Sequence, residues 1–156
     1  MTAIRGLLVG LAAGAAGTTA LNAVTYVDIV VRARPSSSTP EDMVEKLSEL
    51  TGLKVPGQGD ERSNRVAGLG PLTGLITGLG IGAAWGLAKS QGVRLSAPVA
   101  TLAIAFAALV GSDAPMATLG VSDPRSWHRS EWLADAIPHL LYGLVTATVA
   151  EALDPR

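Results

Sequence analysis

GPLTGLITGLGIGAAWG, residues 70–86, places glycine at every fourth position through Gly70, Gly74, Gly78, Gly82 and Gly86. In water this would be a poor helix, because each interior glycine costs about 0.8–1 kcal/mol relative to alanine. In lipid the balance reverses. There the backbone must satisfy its own hydrogen bonds by forming a helix, and glycine lets a second helix approach to van der Waals contact. The row therefore predicts a membrane-spanning helix held by close packing. Each four-residue step turns about 400°, so five glycines drift by roughly 160° around the axis. The expectation is two neighbours, one near Gly70 and Gly74 and another near Gly82 and Gly86. Gly6, Gly10 and Gly14 repeat the spacing upstream, and Ala103, Ala107 and Gly111 repeat it downstream. Such faces serve either an oligomer or pore of the glycine-zipper kind, or tight packing within one monomer.

Composition agrees with a membrane chain. Among 156 residues, 48% are hydrophobic and only 16% charged, against about 25% charged in soluble proteins, and the mean hydropathy is +0.36. A net charge of −1 supplies no basic field for nucleic acid, so none is expected as a partner. The absence of cysteine removes disulfides, thiolate nucleophiles and cysteine metal sites. The glycines at 68–70 and 78–82 lack the strand, helix and acid of a dinucleotide site, and no Walker lysine follows them. The apolar run Gly6 to Val31 exceeds the roughly 7–15 residues of a cleavable signal, so it is expected to stay as a permanent span.

Four segments reach the roughly 20 residues that a helix needs to cross a bilayer: about 5–31, 66–89, 96–119 and 131–152. The fold expected is all-α, an integral membrane four-helix bundle forming a single domain over 1–156. The loop 32–65 carries Thr39-Pro40-Glu41-Asp42, which reads as a helix cap, a proline at the first position and acids in the first turn. Met43, Leu47 and Leu50 follow at helical spacing before Gly52, which predicts a short amphipathic helix over 40–51. Its face is acidic, unlike helices that bind anionic lipid. Lys54 to Asn64 reads as a mobile loop. Asp123-Pro124 starts another turn, and Trp127 and Trp132 suit the membrane interface.

Four spans put both termini on one side and the loops 32–65 and 120–130 on the other. The loop side carries eight Lys and Arg against four on the terminal side, and the positive-inside rule then predicts cytoplasmic loops with the termini outside.

Ionisable groups inside spans are expensive and need a reason. Asn22, Asp28, Asp113, Glu131, Asp135 and His139 all fall toward the loop-side ends, with Tyr142 one turn beyond His139. Glu131, Asp135 and His139 share one face of the last span. Such a group suits proton or cation handling or, at this spacing, a divalent metal. It equally suits a set of satisfied interior polar groups. No metal or cofactor is assigned, and no nucleophile–base pairing marks an enzyme.

Arg34-Pro35, Thr39-Pro40-Glu41-Asp42-Met43 and Pro138-His139-Leu140-Leu141-Tyr142-Gly143 resemble segments of small multi-span bacterial inner-membrane proteins of the YagU-like type. The resemblance covers about a third of the chain. It implies a multi-pass inner-membrane protein and carries over no catalytic residue. The excess of Ala, Gly and Arg over Lys fits a bacterium with GC-rich coding. The function expected is a non-catalytic structural or accessory component of the bacterial cytoplasmic membrane, with the bilayer and either another membrane protein or further copies as partners. The alternative is a small proton or cation transporter or channel using the polar cluster in the cytoplasmic half.

Overall fold

The computed structural model describes residues 2–155 and is all-helical there. The elements are α1 (Ala3–Arg32), α2 (Thr39–Thr51), α3 (Gly59–Ser90), α4 (Ala97–Thr118) and α5 (Arg129–Leu153), with a single 3₁₀ turn at Pro124–Ser126. Four of these, α1, α3, α4 and α5, are long and apolar enough to cross a membrane. The chain is a multi-pass membrane bundle with one short helix, α2, laid against α3. Its exposed apolar side chains, among them Leu8, Val30, Ile76, Phe106 and Leu133, form the belt that lipid covers.

The packing order runs α3, α1, α5, α4, with a lighter contact closing α4 onto α3. The α1–α3 seam is made by glycine on both sides. A Cβ at Gly6 would stand 2.6 Å from the Gly86 carbonyl oxygen, and one at Gly14 2.7 Å from that of Gly78. Gly10 and Gly82 face each other's carbonyls still more closely. Two antiparallel glycine rows thus interlock in register. Three glycines per helix keep the drift to about 80°, within what one neighbour can follow.

The second neighbour of the row is α2. A Cβ at Gly70 would lie 3.1 Å from the Pro40 and Glu41 backbone, whereas Gly74 faces open space. The expectation that Gly74 packs is therefore corrected: it points between the footprints of α2 and α1. The expected small face of α4 is corrected too. Ala103 and Ala107 are exposed, while Ala100, Ala105 and Ala108 turn inward. Gly143 of α5 provides the close approach there, against the Thr101 carbonyl and Ala105. Gly111 does meet a neighbour, with Ile81 and Thr77 of α3 at 3.2 and 3.3 Å from its would-be Cβ.

Two boundaries differ from the sequence reading in an informative way. Residues 59–64, expected as mobile loop, are the first turns of α3. Asp60 and Glu61 favour that N-terminus, Arg65 pairs with Glu61 at 2.6 Å, and Arg62 forks onto both carboxylate oxygens of Glu45 on α2. These turns are charged because they stand outside lipid: at 32 residues α3 is about 48 Å long, well beyond a hydrocarbon core of about 30 Å. In α2, Thr39 is the first helical residue and Ser38 the cap, so the expected Thr39 cap moves back by one. Gly52 ends the helix at φ 72°, the left-handed geometry that glycine adopts without strain.

At the terminal end, the Lys89 side chain, 7% exposed, donates to Glu151 at 2.9 Å and to the Ala150 and Asp154 carbonyls at 3.1 and 3.3 Å. It satisfies the open C-terminus of α5 with a cation where the helix dipole is negative. Arg5 pairs with Asp154 at 3.1 Å. The start of α1 and the end of α3 are thereby fastened to the end of α5.

Candidate functional site

The seven polar residues expected to converge divide into a true cluster and four outliers. Asp113 of α4 is 6% exposed. His139 and Asp135 of α5 have side chains 12% and 20% exposed. They are joined through Ser112, which the sequence reading passed over. The Ser112 hydroxyl stands 3.1 Å from Asp113 Oδ1 and 3.2 Å from His139 Nε2. On the other ring edge, His139 Nδ1 meets the Asp135 carbonyl at 2.8 Å and Asp135 Oδ1 at 3.3 Å. The second oxygens of both carboxylates, Asp113 Oδ2 and Asp135 Oδ2, are buried with no hydrogen-bond partner.

Local sequence explains the placement. Asp135 and His139 are one helical turn apart and stack on one face of α5. Gly143, a turn further on, removes the side chain that would hold α4 away. Ser112 and Asp113 then face the imidazole across that narrow seam. His139 takes the carbonyl of Asp135, not that of Ala134, which Pro138 deprives of its usual helical donor.

The other expected members lie elsewhere. Asn22 is exposed on α1, while its neighbour Leu21 packs against the buried core around Tyr142. Asp28 is held by Arg34 at 2.6 Å and Arg32 at 3.5 Å, a local pair that neutralises it where α1 leaves the membrane. Glu131 accepts from the His128 backbone N–H at 2.6 Å and serves as a helix cap. Tyr142 is fully buried but turns toward α3, where its hydroxyl donates to the Gly78 carbonyl at 2.6 Å. Beyond it the Thr146 hydroxyl and the Trp85 indole N–H are buried and unpartnered. Neither signals itself in the sequence, since Thr and Trp are ordinary residues of a span.

No family model matches the chain, and no curated protein or solved structure matches it either. Among the described residues no group of three or more His, Asp and Glu is arranged to hold a metal ion. What the cluster offers is two acids, an imidazole and a hydroxyl in continuous contact, in the loop-side half of the bundle.

Outside the spans, the loop-side end has its own ordered surface. Asp123 accepts from the Arg125 backbone and guanidinium at 3.0 Å, and those contacts hold its carboxyl below the usual range. Trp127 donates to Ser122 at 2.9 Å and packs against Trp132 with ring centroids 5.2 Å apart. Two open depressions lie here, one lined by Ala117, Val121, Asp123 and Arg125, the other by Glu45, Glu49, Lys54 and Arg62.

Proposed function

We propose that the protein is a non-catalytic structural or accessory component of a bacterial cytoplasmic membrane, with its loop-side end in the cytoplasm and its termini outside. The observation that carries this reading is the division of the molecule into two parts. Its membrane interior is closed by backbone contact along Gly6, Gly10 and Gly14 against Gly86, Gly82 and Gly78, which suits a scaffold. An additional short helix, α2, and two open depressions lie at one end, around α2 and residues 117–125. That end also carries the greater share of Lys and Arg, and this supports its cytoplasmic placement. The resemblance of Arg34-Pro35, Thr39–Met43 and Pro138–Gly143 to segments of YagU-like proteins supports the assignment to a bacterial inner membrane.

The test is purification of the tagged full chain from its own membrane in mild detergent, with protease accessibility of the tag scored on intact cells. A second membrane protein at fixed stoichiometry, together with an accessible C-terminal tag, is the expected result. A lone species at every detergent concentration overturns the accessory role.

One observation favours the alternative of a proton or cation carrier: the unpartnered carboxylate oxygens of Asp113 and Asp135 beside His139. Under that reading Asp135→Asn abolishes flux in proteoliposomes. A wild-type protein without flux ends it.

A further inference from the structure

The contacts of Ser112 carry an inference that holds with or without a membrane partner. Its one hydroxyl hydrogen faces three acceptors: Asp113 Oδ1 at 3.1 Å, His139 Nε2 at 3.2 Å and, locally, the Leu109 carbonyl at 3.0 Å. On the far side of the ring the Asp135 carbonyl, which can only accept, lies 2.8 Å from Nδ1, so Nδ1 carries a hydrogen. What Nε2 carries depends on Ser112.

We propose that Asp113, Ser112, His139 and Asp135 form a proton-binding relay, in which one proton is shared between His139 and Asp113 through the Ser112 hydroxyl. In one state the imidazole is cationic. Nε2–H donates to Ser112 Oγ, and Ser112 donates to the Asp113 carboxylate. In the other, Nε2 has given its proton to Oγ while the original hydroxyl hydrogen has passed to Asp113 Oδ1. The imidazole is then neutral and accepts from Ser112, and the Asp113 carboxyl donates to Oγ. One N–H bond breaks, one O–H bond forms at Oδ1, and the hydroxyl exchanges one hydrogen for another. No atom other than hydrogen moves.

Charge balance favours a proton as the ligand. Two ionised carboxylates and a neutral imidazole sum to −2; the shared proton brings either state to −1, and neutrality in a low-dielectric interior requires one more positive charge. Among the described residues the packed helices supply none. On α3 no ionisable residue lies between Arg65 and Lys89. On α1 the ionisable residues between Arg5 and Arg32 are Asp28, already held by Arg32 and Arg34, and Tyr26, which is exposed. On α4 Asp113 is alone, and on α5 the inward neighbour Tyr142 is committed to Gly78. The buried and unpartnered Asp113 Oδ2 and Asp135 Oδ2 are the atoms where that charge is missing.

The chain has only two histidines, so ¹⁵N-histidine NMR resolves His139 directly. The experiment follows that resonance and the infrared band of protonated carboxylic acid in the full chain in nanodiscs, between about pH 5 and 8. The expected result is a protonated-carboxyl band that Asp113→Asn removes. The His139 midpoint should move by about one pH unit or more in both Asp113→Asn and Ser112→Ala, as coupled groups do. A wild type with no such band overturns the proposal, as does a His139 midpoint that ignores either substitution. Should a variant fail to fold, the wild type still decides. The band and the imidazole must titrate over one common interval, and two independent intervals overturn the relay.

Discussion

Deep between α5 and α3, the Tyr142 hydroxyl donates to the Gly78 carbonyl at 2.6 Å, an oxygen that also serves the backbone of its own helix. Removing the hydroxyl leaves that carbonyl satisfied, so Tyr142→Phe should cost only about 1 kcal/mol. Thermal unfolding in detergent checks this, and a loss several times larger would mean that the bond holds α3 in place. The same neighbourhood marks the limit of what single residues reveal in a sequence. Asp135 and His139 are legible as a pair because their spacing alone puts them on one face. Ser112 is not, since its importance arises only when α4 is rotated to face α5. Glu131 sits at the same spacing as the pair, yet the start of α5 makes it a cap, and that distinction needs the helix boundary.

Helix α2 is joined to the bundle by a glycine contact at Gly70 and by the Glu45–Arg62 pair. The Arg62 guanidinium holds the Glu45 carboxyl below its ordinary value of 4.5. A carboxyl lowered in the folded state contributes stability above its unfolded value and loses it as pH falls through the folded one. Docking of α2 should thus be intact at neutral pH and weaken only below about pH 4.5, and Glu45→Gln should remove that dependence. A fluorophore on α2, read against pH, measures it. The existence of α2 was written plainly in Pro40, the acids after it and Gly52. Its partner was not: the charged turns 59–64 resemble loop by composition, and their pairing with Glu45 on α2 is a tertiary contact that no local pattern signals.

For the molecule as a whole, four spans, their antiparallel order and the clustering of the termini follow from hydropathy and loop length. Which glycines touch does not. Five equally spaced glycines on α3 divide into one that meets α2, one that meets nothing and three that meet α1, because the neighbours have finite length and the row drifts around the axis. Assembly of the bundle should therefore depend on the last three alone. The most direct measurement compares the thermal midpoints of Gly82→Ala and Gly74→Ala in nanodiscs. At Gly82 an added Cβ falls on the Gly10 carbonyl and the Gly14 backbone, and forcing the helices apart should cost about 1–3 kcal/mol or more. At Gly74 it enters open space, and the gain in helix propensity, up to about 1 kcal/mol, should leave the midpoint unchanged or raised. Equal midpoints for the two variants, or a greater loss at Gly74, would contradict the α1–α3 seam on which the fold is built.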